Sequence, residues 1–230
     1  MSTAPAVAPL PASPPLPPPA AERQENAWVA VFTIALTAAV FCTTEFLPVG
    51  ILRYISAGLN VSEGTAGYMV SAPGLLAALA APLLTVAIKN LDRRVVLWVL
   101  GALLMASNLI DMLAPNFPVL IAGRVLFGIG LGGFWAIGAG LGGRLVEEKF
   151  AARATAIIFA GVSVGMLIGG PAGALIGDVY GWRPAFGASL LLSTAALVLQ
   201  LIFLPPLRVR QSVARATCWG SGAAAMARSG

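Results

Sequence analysis

The chain has 230 residues, of which 58% are hydrophobic and only 10% charged, with a mean hydropathy of +0.89. Soluble domains carry about 25% charged residues, so this composition is that of an integral membrane protein. Histidine is absent, which excludes Ser/His and Cys/His hydrolases, Ser/His intramembrane proteases, His-ligated haem and His-based zinc sites. No metal site or cofactor is expected, and the net charge of +5 sits between apolar runs, where it orients a membrane protein and does not mark a nucleic-acid partner.

Residues 1–26 are a Pro/Ala-rich tract without apolar periodicity, read as a disordered or polyproline II cytoplasmic tail. No basic segment precedes an apolar core there, so the tract is not a signal peptide. A ligand for an SH3-type domain at Pro14–Pro19 is the alternative to a plain solvated tail. Residues 27–207 then hold six helix-length spans: Trp28–Leu52, Gly67–Ile88, Val95–Leu113, Phe117–Gly143, Thr155–Val179 and Pro184–Leu204. In lipid the backbone must satisfy its own hydrogen bonds, so the spans are helices and the fold class is all-α, a six-helix transmembrane bundle. The turn at Ala114–Pro118 is so short that its flanking spans form an antiparallel hairpin. Residues 208–230 are a cytoplasmic tail. Its last part, ARATCWGSGAAAMARSG, has the composition of a shifted reading frame or a truncation. Cys42 lies in the first span and Cys218 in that tail, so no disulfide joins them.

Basic residues set the orientation. Arg23, Lys89, Arg93, Arg94, Arg144, Lys149, Arg153, Arg208, Arg210, Arg215 and Arg228 fall on one side, and only Arg53 and Arg183 on the other. The resulting expectation is a multi-pass protein of the inner (plasma) membrane with both termini cytoplasmic.

Within the apolar layer stand Arg124, Glu45 and Asp111. An arginine at this depth costs about 2.5–3.5 kcal/mol, so it must face an interior or a wet cavity and meet a partner. Arg124, Gly128 and Gly132 recur every four residues and share one helix face, smooth below the charge. Glu45 lies about 7 residues, roughly 10 Å, from the outer end of the first span, and Arg124 at a similar depth on the fourth. Their matched depth makes them the expected pair, while Asp111 stands slightly higher, where an interfacial position is the alternative. A static ion pair would only fix packing. A carboxylate that exchanges protons or touches a polar solute, with Arg124 favouring its charged form, is the functional reading, and Glu45 is the better candidate of the two acids. Pro48 follows Glu45 closely and either ends the helix or frees a backbone carbonyl one turn earlier. In the fifth span Gly161, Gly165 and Gly169 share a face, followed by Gly170, Pro171 and Gly173: a smooth, kinkable helix for close packing or a rocking interface.

Four stretches carry a family resemblance: TTEFLPVGIL, LNVSEGTAGYMVSAPGLLAALAAPLLT, GRVLFGIGLGGFWAI and GMLIGGPAGALIGDVYGWRPAF. They resemble the N-terminal half of a major facilitator superfamily transporter, in the branch of drug–proton antiporter relatives that export sugars and purine nucleosides. The resemblance covers Trp28 to about Leu207; it maps the superfamily's membrane-buried arginine onto Arg124, and its fifth-helix antiporter motif with the Gly-Trp-Arg-x-x-Phe entry to helix six onto GMLIGGPAGALIGDVYGWRPAF. It implies coupling of a small-molecule solute to protons. The loop after the second span departs from the superfamily pattern. It reads TVAIKNLDRR, with Lys89 where the pattern has its aspartate, leaving Asp92, Arg93 and Arg94 as the conformational-change loop. The superfamily has twelve spans in two halves, and six are present here.

The leading reading is therefore a transporter for proton-coupled efflux of small polar or amphipathic solutes. The alternatives are an inactive six-helix remnant with a structural or regulatory role, or a half-size transporter working as a homodimer. In each case the bilayer is a partner, and either a second copy or a C-terminal half would complete the cavity. The expected state of the bundle alone is inactive, with Glu45, Arg124 and the Gly161–Gly169 ladder facing lipid or another copy. An enzyme is not supported, since neither a histidine nor a clustered acidic metal site is present, and no filter-like motif points to a channel.

Overall fold

The computed structural model describes residues 20–87, 91–138 and 141–204. Among these, seven α-helices follow one another: α1 (Ala20–Leu59), α2 (Glu63–Ala87), α3 (Arg93–Leu113), α4 (Phe117–Gly138), the short α5 (Gly142–Leu145), α6 (Ala151–Tyr180) and α7 (Trp182–Phe203), with a 3-10 turn at Glu148–Phe150 before α6. Six stretches are long and apolar enough to cross a membrane: Ala27–Leu59, Glu63–Ala87, Arg93–Leu113, Phe117–Gly138, Glu148–Tyr180 and Trp182–Phe203. The all-α multi-pass reading therefore stands.

The differences lie at the ends. α1 begins at Ala20, inside the segment read as a tail, while residues 1–19, Lys89 and the tail from 208, Cys218 included, lie outside the described residues. α1 also continues through Pro48 to Leu59, about two turns beyond the expected Leu52. The chain leaves it at Asn60, whose φ of 54° is the left-handed conformation that asparagine tolerates after a helix. Among the described residues α4 runs to Gly138, and Gly143, the expected end of the fourth span, falls in the separate short α5. α6 and α7 are joined through Gly181 alone, at φ 86°, where a side chain would be strained.

Two parallel helix pairs form the bundle, and both rest on glycine. Gly161, Gly165, Gly169 and Gly173 of α6 stand over Ala35, Ala39, Thr43 and Leu47 of α1, step for step, and Gly177 continues the row over Ile51 and Tyr54. A Cβ on Gly161 or Gly165 would collide with the carbonyl oxygen of Ala35 or Ala39. Likewise Gly128 and Gly132 of α4 press on the backbone of Pro73 and Ala77 in α2. Lipid tails are as apolar as the helices, so association depends on such backbone-to-backbone contact. The ladder is thus an internal seam against α1, which corrects the expectation that Gly161–Gly169 face lipid or a second half. Gly170 differs from them: its carbonyl faces Gly50 of α1, but nothing lies within 4 Å of a Cβ built on Gly170 itself, and Pro171 is exposed.

α3 and α4 form the expected hairpin, and α7 closes the bundle against α3 and α1. Gln200 of α7 donates through Nε2 to Thr37 Oγ1 of α1 at 2.8 Å, and its carbonyl accepts from Trp98 Nε1 of α3 at 3.3 Å. Apolar side chains gather in two clusters. One contains Phe41, Leu97, Leu100, Leu104, Phe127, Phe134 and Ala196; the other contains Leu47, Ile51, Met69, Ala114, Leu120, Trp182 and Phe186.

The seam yields a direct contrast. Gly165→Ala, driven into the Ala39 carbonyl, should lower the unfolding free energy of the purified chain in micelles by about 1–3 kcal/mol. Gly170→Ala should stay within about 0.5 kcal/mol. Denaturant titration followed by circular dichroism measures both.

Candidate functional site

A polar layer separates the two apolar clusters. Along α1 the apolar residues break at Thr44; along α3 at Ser107, Asn108 and Asp111; along α4 at Arg124; along α7 at Ser189 and Ser193. All seven side chains are buried. Arg124 is 0% exposed and holds the layer together. Its Nη1 donates to Asp111 Oδ2 at 3.3 Å, and its Nη2 donates to the backbone carbonyl of Thr44 at 3.3 Å. Its guanidinium lies 4.5 Å from the ring centre of Phe127 and 5.9 Å from that of Phe186.

Each contact has a local cause. The α3–α4 hairpin folds at Ala114–Asn116 and sets Asp111 beside Arg124. Gly123 makes room for that carboxylate, since a Cβ there would strike Asp111 Oδ1, and the Gly123 carbonyl accepts from Ser107 Oγ at 2.9 Å. On α1, Pro48 has no N–H to give the carbonyl four residues earlier, which is that of Thr44. The freed carbonyl is the one Arg124 takes, so Pro48 acts inside the helix and does not end it.

This geometry corrects the expected pairing. Among the described residues the ion pairs are Arg124–Asp111 and Lys149–Glu147. Asp111 is 0% exposed and therefore not interfacial. Glu45 is half-buried beside Thr44 and interacts with Arg124 electrostatically, without pairing with it. Depth along a helix misjudged the partner, because on α1 it is the Thr44 carbonyl, and not the neighbouring Glu45 carboxylate, that meets the guanidinium. Nor does Arg124 face lipid: the bundle encloses it completely.

The loop before α3 is used locally. Asp92 caps α3, its carboxylate accepting from the Arg94 N–H at 2.9 Å. Arg94 stacks over Trp98 at 4.5 Å and reaches the Leu201 carbonyl of α7 at 3.5 Å, while Arg93 is half-buried at the helix start. Several residues of the layer escaped sequence reasoning: Ser107, Asn108, Ser189 and Ser193. Their signal was present. Ser107, Asn108 and Asp111 recur at helical spacing in an apolar span, as do Ser189 and Ser193, which places them on common faces.

Removing Arg124 leaves the Asp111 carboxylate and the Thr44 carbonyl buried without their donor. Arg124→Ala should therefore cost about 3–5 kcal/mol in micelle unfolding. Asp111→Asn should cost much less in the Arg124→Ala background than alone, a coupling that a double-mutant cycle reads.

The comparisons with known proteins agree with this architecture. The Major Facilitator Superfamily model matches residues 27–218. The chain is 37% identical over 180 residues to the purine ribonucleoside efflux pump NepI of Salmonella paratyphi A, an alignment covering 78% of this chain and 45% of that protein. It is 36% identical over 180 residues to NepI of Salmonella paratyphi B, with the same coverage. The chain thus spans about half the length of the curated relatives it matches. Among solved structures, the human organic anion transporter MFSD10 (TETRAN) aligns with a TM-score of 0.60 at 20% identity, over 83% of this chain and 49% of that one, and shares the fold. With six membrane-length helices and a family model matched across nearly all of them, the chain belongs to the Major Facilitator Superfamily.

Proposed function

We propose that this bundle serves proton-coupled efflux of small polar or amphipathic solutes across the inner membrane, with both termini cytoplasmic. The observation that carries the reading is the division of labour between two acids around one arginine. Asp111 is fully buried and paired, whereas Glu45 is half-buried, in no ion pair among the described residues, and close enough to Arg124 to feel its charge. A carboxylate at the edge of a low-dielectric interior is suited to exchange a proton with an incoming solute. The relatives' named cargo makes purine ribonucleosides the first solutes to try.

In transporters built from two bundles the solute site lies between them near the midplane. Here α2 and α6 present long apolar faces outward: Leu75, Leu79, Leu83 and Val86 on the first, Leu167, Leu175 and Val179 on the second. We infer that a second bundle covers these faces during transport, and that the six helices alone do not move solute. A second half and a second copy of this chain both suit the same faces, and reconstitution separates them from an inert role.

In liposomes with an imposed pH gradient the chain alone should show no saturable nucleoside movement. In a complete transporter carrying this bundle, Glu45→Gln should remove gradient-driven efflux while downhill exchange persists. Full gradient-driven efflux by Glu45→Gln would leave Glu45 no role in coupling, and saturable transport by the chain alone would establish a working homodimer.

Orientation is tested separately. The bias of basic residues places the α1–α2 connection outside. Ala57→Cys, exposed near the end of α1, should react with an impermeant maleimide added to intact cells, and Glu148→Cys should not. The opposite pattern would invert the topology.

A further inference from the structure

The polar layer holds more hydrogen-bonding groups than its own side chains and backbone satisfy. Thr44 Oγ1, both amide atoms of Asn108, Asp111 Oδ1, Arg124 Nε and Ser189 Oγ are all buried without a hydrogen-bond partner among the described residues. They come from four helices and lie in the same layer. Asp111 and Thr44 both touch Arg124. Asn108 lies one turn from Asp111 on the same face of α3. Ser189 lies one turn from Phe186, over whose ring the guanidinium sits. The antiparallel α3–α7 contact, in which a Cβ on Gly187 would come within 3.3 Å of Met112 Sδ, brings Ser189 level with Asp111. Apolar clusters close the layer on both sides.

Buried polar groups in native proteins almost always find a partner, and where side chains do not supply one, ordered water does, taking about three hydrogen bonds per molecule. Donors and acceptors are balanced here as a water requires: Arg124 Nε–H and the Asn108 amide nitrogen donate, while Asp111 Oδ1 and the Asn108 amide oxygen accept. The two hydroxyls serve in either sense. We propose that Thr44, Asn108, Asp111, Arg124 and Ser189 form an internal water-binding site, enclosed within the bundle, which completes the shell of the Arg124–Asp111 pair. The site is independent of the transport reading, because it follows from buried polar chemistry alone. Its consequence is that the pair is solvated on one side inside the membrane. Arg124 then needs no direct pair with a second acid.

Two phenylalanines of equal burial provide the test. Phe186 borders the polar layer, whereas Phe134 is stacked on Phe41 at 4.9 Å inside an apolar cluster. The purified chain in lipid nanodiscs is pulsed with X-rays, and hydroxylation of each ring is read by mass spectrometry, in ordinary water and at short delays after transfer to oxygen-18 water. Phe186 should be hydroxylated several-fold faster than Phe134 and should keep the oxygen-16 label at delays where surface residues have exchanged. Ser189→Ala, and Asn108→Leu combined with Ser189→Ala, should lower the Phe186 rate progressively and leave Phe134 unchanged. Equal rates for the two rings in the wild-type chain would overturn the proposal without recourse to any variant. So would immediate oxygen-18 uptake at Phe186, which marks an open aqueous path, or a Phe186 rate indifferent to both substitutions.

Discussion

One buried guanidinium organises this bundle. Arg124 lies at a depth where an isolated charge is costly, so its position is tolerated only because three other helices converge on it. α3 supplies a carboxylate, α1 a backbone carbonyl and α7 the aromatic face of Phe186, beside Phe127 of α4 itself. The planar fork of arginine suits this arrangement, since separate N–H groups reach Asp111 and Thr44 while the guanidinium lies over the Phe127 ring; a lysine has no equivalent geometry. The Thr44 carbonyl is free to accept because Pro48 offers no N–H in the next turn. A proline on one helix thereby creates an acceptor for an arginine on another.

The glycines answer a different constraint. Inside lipid, hydrophobic burial does not favour helix against helix over helix against acyl chain, so what remains is packing at short range. The α6 row on α1 and the α4 pair on α2 bring backbones into contact along parallel axes. This leaves α3 and α7 to seal the polar layer, and leaves the outer faces of α2 and α6 apolar and uncovered. The seams and the charged layer are linked. Gly128 lies one turn from Arg124, and Gly169 packs against Thr43, the neighbour of the residue whose carbonyl Arg124 holds. Any shift of α1 along α6 would therefore move the acceptor relative to its donor. The coupling of seam to charge is a property of the bundle, not of either motif taken alone.

Much of this was legible in the chain. A hydrocarbon layer demands about 20 apolar residues per crossing, so the six spans announce themselves, as does an arginine within one of them. Four-residue glycine spacing showed that α4 and α6 each carry a smooth face, and the short hairpin turn put the third and fourth spans side by side. These are local properties, set by the 3.6-residue period and by the cost of exposing polar groups to lipid.

Choice of partner is not local. Depth along a helix suggested Glu45 for Arg124, but which residue meets the guanidinium depends on how α1 is rotated about its axis and how α3 leans on α4. In the folded bundle α1 presents the Thr44 carbonyl, and the hairpin delivers Asp111. The same holds for the glycine ladder, whose face was evident but whose partner, α1, was not. By itself the sequence determined the number of crossings, the presence of a charge inside them and the smooth faces, because each follows from spacing along a single helix. Only the tertiary structure decided which acid the arginine holds and which helices share a seam, because those depend on the rotation and packing of helices far apart in the chain.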